Sequence, residues 1–244
     1  MGIIEFLLGL GCLQGVILAS VLVAAPRGPR LANVFMAALV LAISSRLLHM
    51  WLVVSGNYLS AGPWALMIEG LPFAWGPLLY LYACALMHRS LSWKQTFHLI
   101  PFASILLTTY QYLGYDAASR QVVVDYLWYN RGDPELEAAF RQLVSPLWFL
   151  WLKYRLHGYA FALHFAVYCM LVIQRIKQHN LLLERHFSSL DKLNLRWLRM
   201  LTAAGLIYVV LLIVLNRIPR LLFDEPAAVS IRSQRRFSLS SEEK

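Results

Sequence analysis

Residues Leu31 to Leu52 read LANVFMAALVLAISSRLLHMWL, a run in which Arg46 is the one formally charged side chain. About 20 mostly apolar residues suffice for a helix to cross the roughly 30 Å hydrocarbon layer of a bilayer. Runs of the same kind lie at roughly 3–25, 64–87, 96–115, 156–174 and 200–216. Hydrocarbon offers no water to an open backbone, so such runs must satisfy their own peptide groups as helices. They are continuously apolar and not alternating, which excludes a membrane β-barrel. The expected fold class is all-α: a polytopic membrane helix bundle of about six transmembrane helices. Residues 1–223 form one transmembrane domain in this reading, and residues 224–244 a basic, disordered tail.

Composition agrees. The 244 residues are 59% hydrophobic and 14% charged, with a mean hydropathy of +0.56. A soluble domain carries about 45–50% apolar and about 25% charged residues. The excess is surface that must face something apolar, so the lipid bilayer is the first expected partner. The net charge of +9 suits cations held on the cytoplasmic side better than a nucleic-acid groove, because they are spread over several loops. Cys12, Cys84 and Cys169 all sit inside apolar runs, an odd set without metal or disulfide spacing. Met1 to Ala25 has no positive leading region, so it reads as a retained first span and not as a cleaved signal peptide.

Loop cations set the orientation. The first connection holds Arg27 and Arg30, the second no cation, and the third Arg89 and Lys94. Asp116 to Ser145 carries five acids against three arginines, and Arg175 to Arg199 six cations against two acids. High and low alternate, which places the N-terminus outside and the basic connections in the cytoplasm. The end breaks this pattern. After a sixth crossing, Arg217, Arg220, Arg232, Arg235, Arg236 and Lys244 fall outside. Either the number of crossings differs by one, or the tail is not a native terminus.

Two connections are long enough to fold. Asp116 to Ser145 contains Tyr126, Trp128 and Tyr129, then the turn Gly132-Asp133-Pro134 before a short helix over Glu135 to Leu143. An external lid and an interfacial helix with aromatics at the headgroups both fit it. Leu181 to Leu198 is basic and amphipathic and is expected to lie along the inner leaflet.

Ionisable groups at membrane depth are costly and therefore informative. Glu5, Arg46, His49, Glu69, Lys153 and Arg155 all fall towards the outer half in this topology. Glu5, Lys153 and Arg155 fit headgroup contacts, whereas Arg46 and His49 lie deeper and call for an interior partner such as Glu69. His157 and His164, seven residues apart, share one helix face and suit interhelical hydrogen bonding. The candidate ligand-binding residues are thus Arg46, His49, Glu69, His157 and His164. No HExxH, CxxC, GxSxG or GxxxxGK[ST] pattern occurs, so no catalytic residue, metal or cofactor is expected. Pro72 and Pro77, within LPFAWGPLLYLY, each remove a backbone donor and bend the third span. They can form a hinge, or be tolerated by packing alone.

Three stretches carry a family resemblance: Leu31 to Leu52, Leu71 to Leu107 (LPFAWGPLLYLYACALMHRSLSWKQTFHLIPFASILL) and Phe187 to Leu201 (FSSLDKLNLRWLRML). Together they resemble the membrane-embedded, seven-helix sensory half of AraC-type bacterial transcriptional regulators. The resemblance covers nearly all of residues 1–216 and is most specific at PF-x-x-GPLLY-x-Y and the following F-H-L-I-P-F. It implies a non-enzymatic module in the bacterial inner membrane, detecting a small ligand or an envelope protein and acting as a homodimer. Pro72, Pro77, Arg196 and Trp197 are then candidates for relaying the signal inward. The chain departs from that family in lacking a seventh span and a helix-turn-helix domain, so direct DNA binding is not expected of it. Gln234 to Lys244 (QRRFSLSSEEK) resembles the linker before that domain, and the expectation is a truncated regulator. A small transporter or channel subunit is the alternative, and a membrane enzyme using His157, His164 or Glu69 ranks third.

Overall fold

A computed structural model describes residues 2–25, 29–62, 64–88, 93–129, 133–153, 156–186 and 195–217. The expectations placed on Arg27, Arg155, Phe187 to Asn194 and the tail beyond Arg217 lie outside these. The described residues are almost entirely helical and contain no strand. Four helices among them are long and apolar enough to cross a membrane: Ile3–Ala24, Arg30–Val54, Trp64–Met87 and Leu156–Leu181.

Helix α1 (Ile3–Ala24) opens with Glu5, whose carboxylate accepts a hydrogen bond from the Gly2 amide at 2.9 Å. Glu5 thus serves its own helix start, where orphan amides and the helix dipole favour an anion. Helix α2 (Arg30–Val54) follows and ends at Gly56, whose φ of +71° suits glycine. The two lie close because α1 offers glycines along one side. A Cβ on Gly15 would fall 2.8 Å from Ser44 Cβ, and one on Gly11 3.0 Å from Leu47. Small residues of this kind let membrane helices approach where lipid supplies no hydrophobic drive.

The third predicted span is not one regular helix. It runs as α3 (Trp64–Met67), a seven-residue 3₁₀ segment (Ile68–Ala74) and α4 (Trp75–His88). Pro72 lies inside the 3₁₀ segment, and Pro77 sits in the first turn of α4, where the backbone N–H has no intrahelical partner to lose. This span is the buried centre of the molecule. Leu81, Ala83, Cys84 and Ala85 are fully enclosed between α2 and α9 (Leu156–His186). Gly76 allows a close approach of α9: a Cβ there would lie 2.8–2.9 Å from the Tyr168 side chain.

The predicted fourth run, 96–115, is a 3₁₀ segment (Trp93–Leu99), α5 (Ile100–Thr109) and a second 3₁₀ turn (Tyr110–Gly114), laid against the 3₁₀ segment of the third span. The run at 200–216 lies within α10 (Arg196–Arg217), which packs on α9. Helix α9 extends twelve residues beyond the predicted end of its run, to His186. Gln174 to Leu183 is rich in Gln, Lys, Arg and Leu, good helix formers that carry the helix past its apolar part. The basic inner segment foreseen over Leu181 to Leu198 is accordingly divided: its start is the end of α9, and its last residues begin α10.

Asp116 to Ser145 folds as α6 (Ala117–Val124), a π-helical turn (Asp125–Tyr129) and α7 (Pro134–Leu143), followed by α8 (Pro146–Lys153). Two aspartates cap it. Asp116 accepts from the Ser119 amide at 2.8 Å, and hydrogen bonds from the Ser119 side chain and then its amide hold the carboxyl below the usual carboxylate range. Asp133 accepts from the Glu135 amide at 3.0 Å, with Pro134 pre-set for the first helical position. Tyr126, Phe140 and Phe149 stack into a second core that also takes in Leu52, Tyr58 and Leu66. The segment is therefore a folded cap with its own core, anchored on the bundle.

Candidate functional site

Arg46 and His49, three residues apart on α2, share a helix face. That face meets Glu69, the second residue of the 3₁₀ segment. Arg46 Nη1 donates to Glu69 Oε1 at 3.1 Å, and His49 Nε2 lies 2.7 Å from the same oxygen. His49 is thereby the second side chain of α2 in polar contact with Glu69. The His49 side chain is fully buried, whereas Arg46 and Glu69 keep 27% and 19% exposure. The interior partner expected for Arg46 and His49 is thus Glu69.

The cap closes over this cluster. Trp128, in the π turn, stands edge-on to His49 with ring centroids 5.0 Å apart. The Arg46 guanidinium sits 5.7 Å above the Trp128 ring, close enough for a cation–π attraction. Tyr58 bounds the other side of His49 at 5.1 Å, and its hydroxyl donates to the Ala65 carbonyl at 2.9 Å. Trp128 Nε1 is buried without an acceptor among the described residues. π-helical turns are frequent at functional sites because they re-aim side chains out of helical register.

His157 and His164 both lie on α9. Both face Phe73, with ring centroids at 5.2 and 5.6 Å, and this phenyl ring lies between them. His157 also reaches the Glu69 backbone, so it belongs to the edge of the Arg46 cluster. The interhelical hydrogen bond expected of His164 is absent: both its nitrogens are buried without partners among the described residues. It packs on Phe73 of the 3₁₀ segment and on Tyr168, four residues on along α9 itself. No group of three or more His, Cys, Asp or Glu among the described residues has metal-binding geometry.

A second polar cluster occupies the opposite end of α4 and α9. Tyr168 donates its hydroxyl to the His98 carbonyl at 3.1 Å and meets His98 Nδ1 at the same distance. Tyr80 packs on the His98 ring at 4.6 Å, and Arg175 donates to the Tyr80 hydroxyl at 3.2 Å. Trp197, at the start of α10, stacks edge-on with Tyr82 at 5.9 Å, so the proposed relay residue does touch the central helix. The Arg196 side chain lies outside the described atoms. Pro72 and Pro77 bracket the passage from 3₁₀ to α between the two clusters. Lys153 pairs with Glu137 of α7 and sits over the Phe149 ring, so it braces the cap.

Sequence reasoning missed Tyr58, Trp128, Tyr80, His98, Tyr168 and Arg175 as members of these clusters. Trp128 was visible only as an aromatic in the connection Asp116 to Ser145. Nothing in its local sequence signals which residue it would cover. No family model, no curated protein and no solved structure matches this chain.

Proposed function

We propose that the chain is a non-enzymatic sensory module of the bacterial inner membrane, similar to the membrane half of AraC-type transcriptional regulators. In this reading it crosses the membrane six times with the N-terminus outside, reads no DNA itself and works as a homodimer. One observation carries it. The external cap touches, through Trp128, the same Arg46, His49 and Glu69 cluster that includes the 3₁₀ segment of the central span. A change at the cap therefore bears directly on the segment able to shift α4. At the far end of α4, Tyr82 meets Trp197, and Tyr80 holds Arg175, which gives such a shift two outlets. A signal can drive it only by binding two arrangements of the bundle unequally.

Single-cysteine labelling tests this reading in a chain freed of Cys12, Cys84 and Cys169. A cysteine at Gln142 should react with an impermeant maleimide added outside intact cells, and one at Lys177 should not. Changing Trp128→Ala should alter the labelling rate of a cysteine at Arg199 at least threefold. The reverse sidedness, or an unchanged rate at Arg199, overturns the reading.

A transporter or channel subunit is favoured by one feature: an interrupted span with a carboxylate at depth, as in helices that line transport sites. Solute flux in reconstituted vesicles, abolished by Glu69→Gln, would establish it.

A further inference from the structure

The inner end of the bundle, in the orientation proposed above, is built around a cation. Arg175 is the first residue past the apolar run of α9 at 156–174. It donates to the Tyr80 hydroxyl at 3.2 Å, and Tyr80 packs on the His98 ring at 4.6 Å. Tyr168 fixes His98 in turn by donating to its carbonyl at 3.1 Å. Side chains of α4, α9 and the 3₁₀ segment Trp93–Leu99 thus meet at the guanidinium or at its partner. Arg175 is partly buried, and it pairs with no carboxylate among the described residues. A guanidinium carries five N–H donors and keeps its charge at any physiological pH; Tyr80 takes one of them. The same 3₁₀ segment sets two rings at the surface. Trp93 is 67% and Phe97 52% exposed, edge-on to each other at 5.1 Å, with Lys94 exposed beside them. Exposed tryptophan next to lysine is the composition of a headgroup-level anchor.

We propose that this surface binds an anionic phospholipid of the inner leaflet, its phosphodiester on Arg175 and its glycerol end beside Phe97 and Trp93. The proposal rests on the sidedness of the reading above. Charge complementarity selects the occupant. A permanent cation at a membrane edge, held only by a neutral hydroxyl, is balanced by an anion from outside the chain. The planar guanidinium suits two phosphate oxygens at once, and basic groups between spanning helices on the cytoplasmic side take headgroups of this kind. A second copy of the chain is a poorer occupant, because it brings another guanidinium to the same place. Tyr80 belongs to α4, so the lipid reaches the central helix through one intervening hydrogen bond. Leaflet composition then bears on the helix that the Trp128 cap addresses from its other end.

The test is thermal unfolding of the full-length, delipidated chain in mild detergent, titrated with dioctanoyl phosphatidylglycerol, dioctanoyl phosphatidylcholine and sodium phosphate at matched ionic strength. Phosphatidylglycerol should raise the midpoint saturably, and the other two should not. Arg175→Gln should raise the half-saturating concentration about tenfold, as loss of a hydrogen bond to a charged group does. Tyr80→Phe keeps the ring and loses the hydroxyl that positions the guanidinium, and should raise it about threefold. Lys177→Gln removes the same charge two residues on, from another face of α9, and should leave it unchanged. Equal shifts with the two lipids, a saturable shift with phosphate, no shift in the unaltered chain, or equal losses from Arg175→Gln and Lys177→Gln would each overturn the proposal. So would unchanged binding in both Arg175→Gln and Tyr80→Phe. Cysteine labelling at Lys177 and Arg199 reads the sensory mechanism without added lipid. A flat titration beside the expected labelling therefore removes the lipid site and leaves the sensor standing.

Discussion

At the scale of single residues, Glu69 and Arg46 hold one another at a depth where either alone is expensive. Removing one partner leaves the other desolvated and unpaired, which costs about 1–3 kcal/mol for a partly exposed pair. Glu69→Gln and Arg46→Gln should each lower the unfolding free energy in mild detergent by about that much. The double variant should lose less than the sum, with a coupling of about 0.5–3 kcal/mol; strict additivity would mean that the 3.1 Å contact contributes nothing. This pairing was legible beforehand, because charges buried in apolar runs need opposite charges and the choices were few. Trp128 was not. Its position over Arg46 depends on α6, the π turn and α7 folding into one cap. That outcome belongs to contacts among Tyr126, Phe140 and Phe149 and not to any residue next to Trp128 in the chain.

At the scale of elements, the third span is the most buried of the four long apolar helices among the described residues, and its backbone is irregular. The prolines announced a bend, but not that the whole of Ile68–Ala74 would be 3₁₀. The choice between a kinked α-helix and a tighter one is made by neighbours such as Ile105, which lies 3.1 Å from where a Gly70 Cβ would be. Gly76 gives the clearest prediction. Gly76→Ala would push a methyl to within 2.9 Å of Tyr168 Cβ, an atom that cannot swing away. The variant should lose about 1–3 kcal/mol through overpacking, read as a lower midpoint of thermal unfolding. A neutral or stabilising outcome, as expected from helix propensity alone, would show that α4 and α9 lie farther apart. The length of α9 was likewise hidden, because hydropathy marks where lipid ends and not where a helix does.

At the scale of the whole molecule, the apolar surface is ordered by helix. Helix α1 touches chiefly α2 and exposes nearly all of its length, while most of the third span is buried. Runs of apolar residues made the bundle legible, yet none disclosed that the run carrying Glu69 would be the most buried. That has a bearing on biosynthesis. An acidic side chain within such a segment opposes partitioning from the translocon into lipid, by up to about 2.5–3.5 kcal/mol at the centre and by less towards an end, where Glu69 lies. Trp64–Met87 by itself is then a poor client for the insertion machinery, and Arg30–Val54 emerges from the ribosome first with the guanidinium that offsets this cost. The two segments should enter the bilayer as a couple. Glycosylation mapping of the third segment in microsomes should show efficient insertion behind the native second one, reduced insertion behind a version bearing Arg46→Leu, and recovery when Glu69→Leu is added.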